Sequence, residues 1–199
     1  MVLIRRLAFD GIPESGLSSA CALGGFAPDG STVLVASALG LVFREVQAGF
    51  ERLRGAKVVL AGDPGGQLGT IDRIQTLLGP TVVAGAAVLI KLVEGSATGA
   101  ILKLGDLAPV REALPVRLLS AGAGRTAIVA RASSLFRPVS AALGGSDVLG
   151  FDIETTDGAD FEEQDSGAPV VDENNALVGM LVYGSGPVAH CVTASSLFF

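Results

Sequence analysis

Short apolar runs, rich in valine and isoleucine and broken by glycine, proline, aspartate or asparagine, recur along the whole chain. Examples are "STVLVAS", "AKVVLAG", "TVVAGAAVLIKLV", "TAIVARA", "VLGFDIETT", "APVVD", "ALVGMLVYG" and "VAHCVTA". Most span five to nine residues, the length of a strand, and their punctuation is turn chemistry. This texture predicts an all-β fold of barrels or sandwiches. "PDGS" at Pro28 and "DENN" at Asp172 read as hairpin turns, and so does the glycine-rich "AGDPGGQLG" at Ala61, which lacks the Lys-Ser/Thr ending of a phosphate-binding loop. Helical spacing is confined to Leu41 to Arg54, Ile71 to Leu78 and the terminal "ASSLFF".

The 199 residues are 49% apolar, enough to bury a core in one compact unit or two small lobes. The least strand-like interval in mid-chain is "GDLAPVREALPV". It divides the strands into an N-terminal lobe at residues 1–105, a linker at 106–116 and a C-terminal lobe at 117–199. The longest apolar runs reach only ten or eleven residues, about half of the roughly 20 that a membrane helix needs. "MVLIRRLAFDG" has too short an apolar stretch for a signal peptide, so the chain reads as soluble and cytoplasmic, with no membrane partner. A net charge of -6 provides no footprint for nucleic acid. Cys21 and Cys191 form no ligand spacing and read as buried, reduced thiols; no metal or cofactor motif is present.

One stretch carries chemistry. "EEQDSGAPVVDENNALVGMLVYGSG", from Glu162 to Gly186, resembles the nucleophile region of the trypsin-like serine proteases, whose usual form is Gly-Asp-Ser-Gly-Gly-Pro, a strand, a turn and a second strand. "VAHCVTASSLFF" is similar to the final strand and terminal helix of bacterial members. "VLVASAL" at Val33 resembles the family's Val-Leu-Thr-Ala-Ala-His-Cys, and "ATGAILKL" at Ala97 resembles its Asn-Asp-Ile-Ala-Leu-Leu-Lys-Leu. The four segments occur in family order. The resemblance implies two antiparallel six-stranded β-barrels with a cleft between them and a short C-terminal helix.

Carried over position by position, the resemblance keeps the serine and loses its helpers. Ser166 matches the nucleophile, but Ala38 stands at the histidine position and Thr98 at the carboxylate position. A serine hydroxyl needs an imidazole to take its proton and a carboxylate to hold that imidazole in the right tautomer. Gln164 replaces the glycine whose N–H forms part of the oxyanion hole, where losing one donor costs about 100- to 1,000-fold. Removal of the base costs on the order of a million-fold in turnover. A single engineered substitution accounts for Ala38 alone, not for Thr98 and Gln164 as well. If the Thr98 register is wrong, Asp63 or Asp72 takes the carboxylate role, and Ala38→His would restore a triad.

His190 is the sole imidazole, in the strand that resembles the wall of the primary specificity pocket. It reads as a pocket-wall or core histidine, with a Ser166 and His190 dyad as the rarer alternative; Lys57, Lys91 and Lys103 lie outside the segments that resemble catalytic loops. "VYGSG", Tyr183, Gly184, Ser185 and Gly186 with the preceding valine, resembles the segment whose backbone pairs with substrate as an added strand, a mode that needs no catalytic residue. Asp160 stands where the trypsin branch places its pocket-floor aspartate and would suit a basic side chain, while the acidic "DGADFEEQD" also reads as a solvated turn. The resemblance makes Asp165 a buried structural carboxylate, to be held by backbone N–H groups or a cation such as Arg5 or Arg6.

The sequence therefore reads as a catalytically degenerate, trypsin-like pseudoprotease that binds a peptide or protein in its cleft. A serine endopeptidase, inactivated at position 38 or running on an unusual base, and a purely structural β domain are the alternatives. Oligomeric state is not legible in the sequence.

Overall fold

The computed structural model describes residues 7–9, 20–21, 23–24, 33–37, 54–60, 63–78, 82–93, 102–103, 107–119, 124–136, 147–162, 165 and 167–196. Within them lie β1 (Leu7–Phe9), β2 (Ala20–Cys21), β3 (Leu23–Gly24), β4 (Val33–Ser37), β5 (Lys57–Leu60), β6 (Asp63–Leu78) and β7 (Val82–Leu92). They are followed by β8 (Leu102–Lys103), β9 (Pro115–Leu118), β10 (Arg125–Phe136), β11 (Asp147–Thr155), β12 (Pro169–Val171), β13 (Leu177–Ser185) and β14 (Val188–Thr193). Helix among the described residues is the 3₁₀ turn Ala194–Ser196 and the 3₁₀ conformation of Asp165.

Six of these strands close on themselves. The order is β11-β10-β9-β12-β13-β14, and β14 returns to pair with β11, every pairing antiparallel. Closure pairs every strand of the wall on both sides over part of its length, with the end of β13 running on beyond its pairing with β12. Alternate residues turn inward, as the period-two pleat requires: Val116 and Leu118, Ala127 and Val129, Phe151 and Ile153, Ala189 and Cys191 all join one buried cluster. Each fully buried aliphatic or aromatic side chain there contributes roughly 1.5–3 kcal/mol, which is why six strands of only three to twelve residues can hold together as a wall.

The N-terminal strands form a sheet in the order β2-β4-β7-β6-β5-β1, continuous with the barrel. No pairing among the described residues closes it into a second barrel. On one edge β7 runs antiparallel to β4 at Ala87 to Lys91 and parallel to β11 at Val82 and Val83, which joins the two sheets. β3 and β8 form a separate parallel pair.

One sequence expectation is corrected, and another falls partly outside the described residues. Ile71 to Leu78, spaced like a helix, is the second half of β6, paired with β7 from Ile71↔Ile90 to Leu78↔Val83. Register shifts between Ile71 and Arg73 and between Leu77 and Leu78 break the period-two pattern. A helix of so few residues is marginal by itself, and the long β7 ladder overrides it. The terminal helix expected from "ASSLFF" is represented by the 3₁₀ turn alone, with Thr193 Oγ1 2.6 Å from Ser196 Oγ; residues 197–199 lie outside the described set, as does Leu41 to Arg54 except for Arg54 itself.

The "DENN" turn forms as its chemistry dictates. Asp172 Oδ1 accepts hydrogen bonds from the backbone N–H groups of Asn174 (2.9 Å) and Ala176 (2.8 Å), while Asn175 takes the left-handed conformation (φ 62). "AGDPGGQLG" falls at the β5–β6 hairpin, where Leu60 pairs with Asp63. "PDGS" lies outside the described residues.

Candidate functional site

The loop between β11 and β12 is built around a buried carboxylate. Asp165 is 1% exposed, and a charge so deeply buried must be paired. Arg125, the first residue of β10, places its Nε 3.2 Å from Asp165 Oδ2 and one terminal nitrogen 3.1 Å from Glu162 Oε1. The Glu162 backbone N–H also donates to Asp165 Oδ2, at 2.9 Å. The cation is therefore Arg125, not Arg5 or Arg6, which lie outside the described residues. Nothing in "GRTAIVAR" announces this role, because the two partners meet only through the barrel.

Backbone bonds fix the same loop. Asp165 N–H donates to Glu162 O (2.9 Å) and Ala168 N–H to Asp165 O (3.0 Å). Gly167 takes φ 81, a value that strains any residue bearing a Cβ, and donates to Leu181 O at 2.7 Å. Asp165 and Gly167 are thus each anchored by their own backbone bonds. Ser166, Gln164, Ala38 and Thr98 lie outside the described residues.

Beside this loop, the end of β13 pairs along one side only among the described residues. Tyr183, Gly184 and Ser185 pair with His190, Ala189 and Val188 of β14. The pairing of β13 with β12, by contrast, stops at Met180. A register shift between Leu181 and Tyr183 makes Val182 a bulge, after which Tyr183 faces outward and Gly184 inward. Tyr183 is half-exposed and stacks on Phe136, ring centroids 5.0 Å apart. Asp160 is exposed, with a carboxylate oxygen on the Gly186 side of the loop.

His190 lies on the outer face of β14, opposite the inward-facing Ala189 and Cys191. Its Nδ1 is 2.9 Å from Asp152 Oδ1 and 3.1 Å from Ser134 Oγ, and Ser134 Oγ donates to the same Asp152 oxygen at 2.8 Å. Phe136 stacks over the imidazole at 5.5 Å. A carboxylate only accepts, so Nδ1 carries the proton toward Asp152 and cannot act as a base for Ser134. The free nitrogen, Nε2, is buried without a hydrogen-bond partner among the described residues and sits against Gly150. Serine, histidine and aspartate are thus adjacent but wired against nucleophilic catalysis, since the imidazole nitrogen that could accept a proton does not face the hydroxyl. Sequence reasoning missed Asp152, Ser134 and Phe136 because their meeting with His190 depends on the β11–β14 closure.

Cys191 is buried and free. Burial first, and the Asp152 charge second, push its thiol well above the usual 9.0. The folded state therefore binds a proton that the unfolded state releases, so the stabilising contribution is complete below about pH 9 and is lost as pH rises through the folded value. Urea titrations from pH 8 to 10.5 should show stability falling by up to about 1.4 kcal/mol per pH unit more steeply in the parent than in Cys191→Ala; equal slopes would contradict the burial argument.

No protein-family model matches the chain, and no curated protein matches it. Solved structures do. The Rv3671c protease of M. tuberculosis in its active form is 17% identical, with a TM-score of 0.53 over 90% of this chain and 69% of that one. The protease domain of MamO from Magnetospirillum magneticum, in its apo form, is 17% identical, with a TM-score of 0.52 over 95% of this chain and 91% of that one. The HRV-C 3C protein, solved with rupintrivir, is 10% identical, with a TM-score of 0.57 over the same shares, 95% and 91%. With a closed six-stranded barrel, a second sheet joined to it and almost no helix, the chain has the chymotrypsin fold of the trypsin-like proteases.

Proposed function

We propose that this chain is a trypsin-like protease homologue without peptidase activity, which holds an extended peptide or a protein segment in its cleft. The observation that carries this reading is the wiring of the sole imidazole: His190 Nδ1 is committed to Asp152, and Nε2 is packed against Gly150 on the outer face of the barrel. With Ala38 and Thr98 at the matching helper positions, Ser166 has no evident base. Recognition needs none. The β13 segment Tyr183–Ser185 offers backbone groups beyond the end of β12, and a peptide added there as an antiparallel strand gains main-chain hydrogen bonds.

A second reading, a serine endopeptidase inactivated at position 38 or using an unusual base, is favoured by one feature. Asp165, paired with Arg125, and the left-handed Gly167 stand in sequence on either side of position 166, where a nucleophile loop would need fixed neighbours.

Amide-resolved NMR titration with acetylated alanine-rich hexapeptides tests the binding mode. Shifts should concentrate on Tyr183, Gly184 and Ser185, and N-methylation of alternate peptide amides should weaken binding at least tenfold. Shifts confined to surfaces away from this edge would overturn the cleft reading in favour of a structural domain that binds elsewhere.

A further inference from the structure

Phe161 at one end and Gly167 with Ala168 at the other hydrogen-bond to β13 and to the turn that follows it. At one end, Phe161 N–H donates to Gly186 O at 2.8 Å. At the other, Leu181 N–H donates to Ala168 O at 2.9 Å and Leu181 O accepts from Gly167. Between these anchors lie Tyr183, Gly184 and Ser185, whose described pairings run to β14 alone. The alternation along this segment decides what a strand laid beside it would meet. Side chains opposite Tyr183 and Ser185 lie on the outer face, beside an exposed aromatic ring. A side chain opposite Gly184 is directed to the inner face, and cross-strand Cβ atoms on one face stand about 4.5–5.5 Å apart.

A glycine at that position leaves a recess on the inner face, and the recess is already occupied. A Cβ built on Gly184 would lie 2.5 Å from Phe161 Cβ, 3.2 Å from Phe161 Cγ and 3.6 Å from Ala189 Cβ. Phe161 is 7% exposed and belongs to the barrel core with Val116, Phe151, Ala189 and Cys191. The room that Gly184 frees is used by the chain's own phenylalanine. Interiors are packed to crystal density, so a second bulky group entering beside Phe161 would have to expel it from the core.

We propose that Phe161 closes the side-chain recess over Gly184 and thereby sets the ligand class: an extended peptide with glycine or alanine opposite Gly184, read by its backbone and by residues that lie along Tyr183. This specificity rests on the strand-addition reading above, whereas the closure itself stands on the packing of Phe161 alone.

The test uses two acetylated hexapeptides, fluorescein-labelled and differing only by alanine or phenylalanine at the position facing Gly184, read by fluorescence polarisation on the parent chain and on Phe161→Ala. The parent should bind the alanine peptide at least tenfold more tightly, and Phe161→Ala should gain at least tenfold for the phenylalanine peptide. Equal affinity of the parent for both peptides would overturn the proposal while leaving strand addition in place. If neither protein binds either peptide, strand addition fails, and the closure is read separately with benzene, an aromatic probe of about the size of the deleted ring. Phe161→Ala should then take up benzene with amide shifts at Gly184 and Ala189 where the parent does not; no uptake by the variant overturns the closure. Should Phe161→Ala not fold, Phe161→Val, which keeps part of the core volume, carries the same measurements.

Discussion

Arg125→Ala is expected to lower the unfolding free energy by about 3–5 kcal/mol, because it leaves a buried carboxylate without its cation. The asymmetry of the pair sets the size of the effect. Arg125 keeps 21% of its side chain exposed and can be solvated alone, but Asp165 keeps 1% and cannot. The Glu162 N–H bond compensates only part of the charge. In a chain of this length such a loss corresponds to a melting temperature lower by roughly 10 °C. Replacing both partners, as Arg125→Met with Asp165→Leu, should recover most of the stability, since a well-packed apolar pair matches a buried ion pair. Urea denaturation of the three variants checks this, and a loss under about 1 kcal/mol for Arg125→Ala would mean that the pair behaves as a surface contact.

Gly150→Ala should be comparably severe, for a steric reason. Gly150 lies in β11 where the strand approaches β14, and a Cβ there would collide with the Cys191 carbonyl oxygen and reach within 2.9 Å of His190 Nε2. The carbonyl belongs to the barrel ladder and has nowhere to move without breaking the closure, so a cost of about 3 kcal/mol or more is expected. Gly124→Ala is the matched control: its nearest neighbour would be Leu118 O at an ordinary 3.5 Å, and the change should stay within about 0.5 kcal/mol. Thermal melts of the two variants side by side would contradict the barrel packing if they lost stability equally.

The strand texture was legible because period-two burial writes itself into local sequence, as in β9 and the first half of β10. The second half of β6 was not, because its two register shifts break that period and leave a spacing that imitates a helix. The "DENN" turn was legible because the Asp172 side chain satisfies it within four residues and Asn175 tolerates the left-handed conformation it requires. The Asp165 anchor was half legible: its need for a partner follows from burial of a charge, but the identity of Arg125 depends on β10 crossing beside the loop. His190 was legible as a buried group flanked by apolar residues in "VAHCV". Its commitment to Asp152 was not, since that contact exists only where Asp152 and His190 fall in register across the closing pair of strands. The assignment of Ala38, Thr98 and Gln164 as missing helpers rests on resemblance to a family motif alone, because no spacing or periodicity distinguishes a missing helper from an ordinary residue, and all three lie outside the described residues.

The central claim is that a protease fold is retained here without its chemistry, and activity-based labelling tests it most directly. A fluorophosphonate probe incubated with the chain from pH 5 to 9, with casein turnover measured in parallel, should give no adduct at Ser166 and no cleavage above background. An adduct mapped to Ser166 by mass spectrometry, accompanied by casein cleavage that Ser166→Ala abolishes, would contradict it.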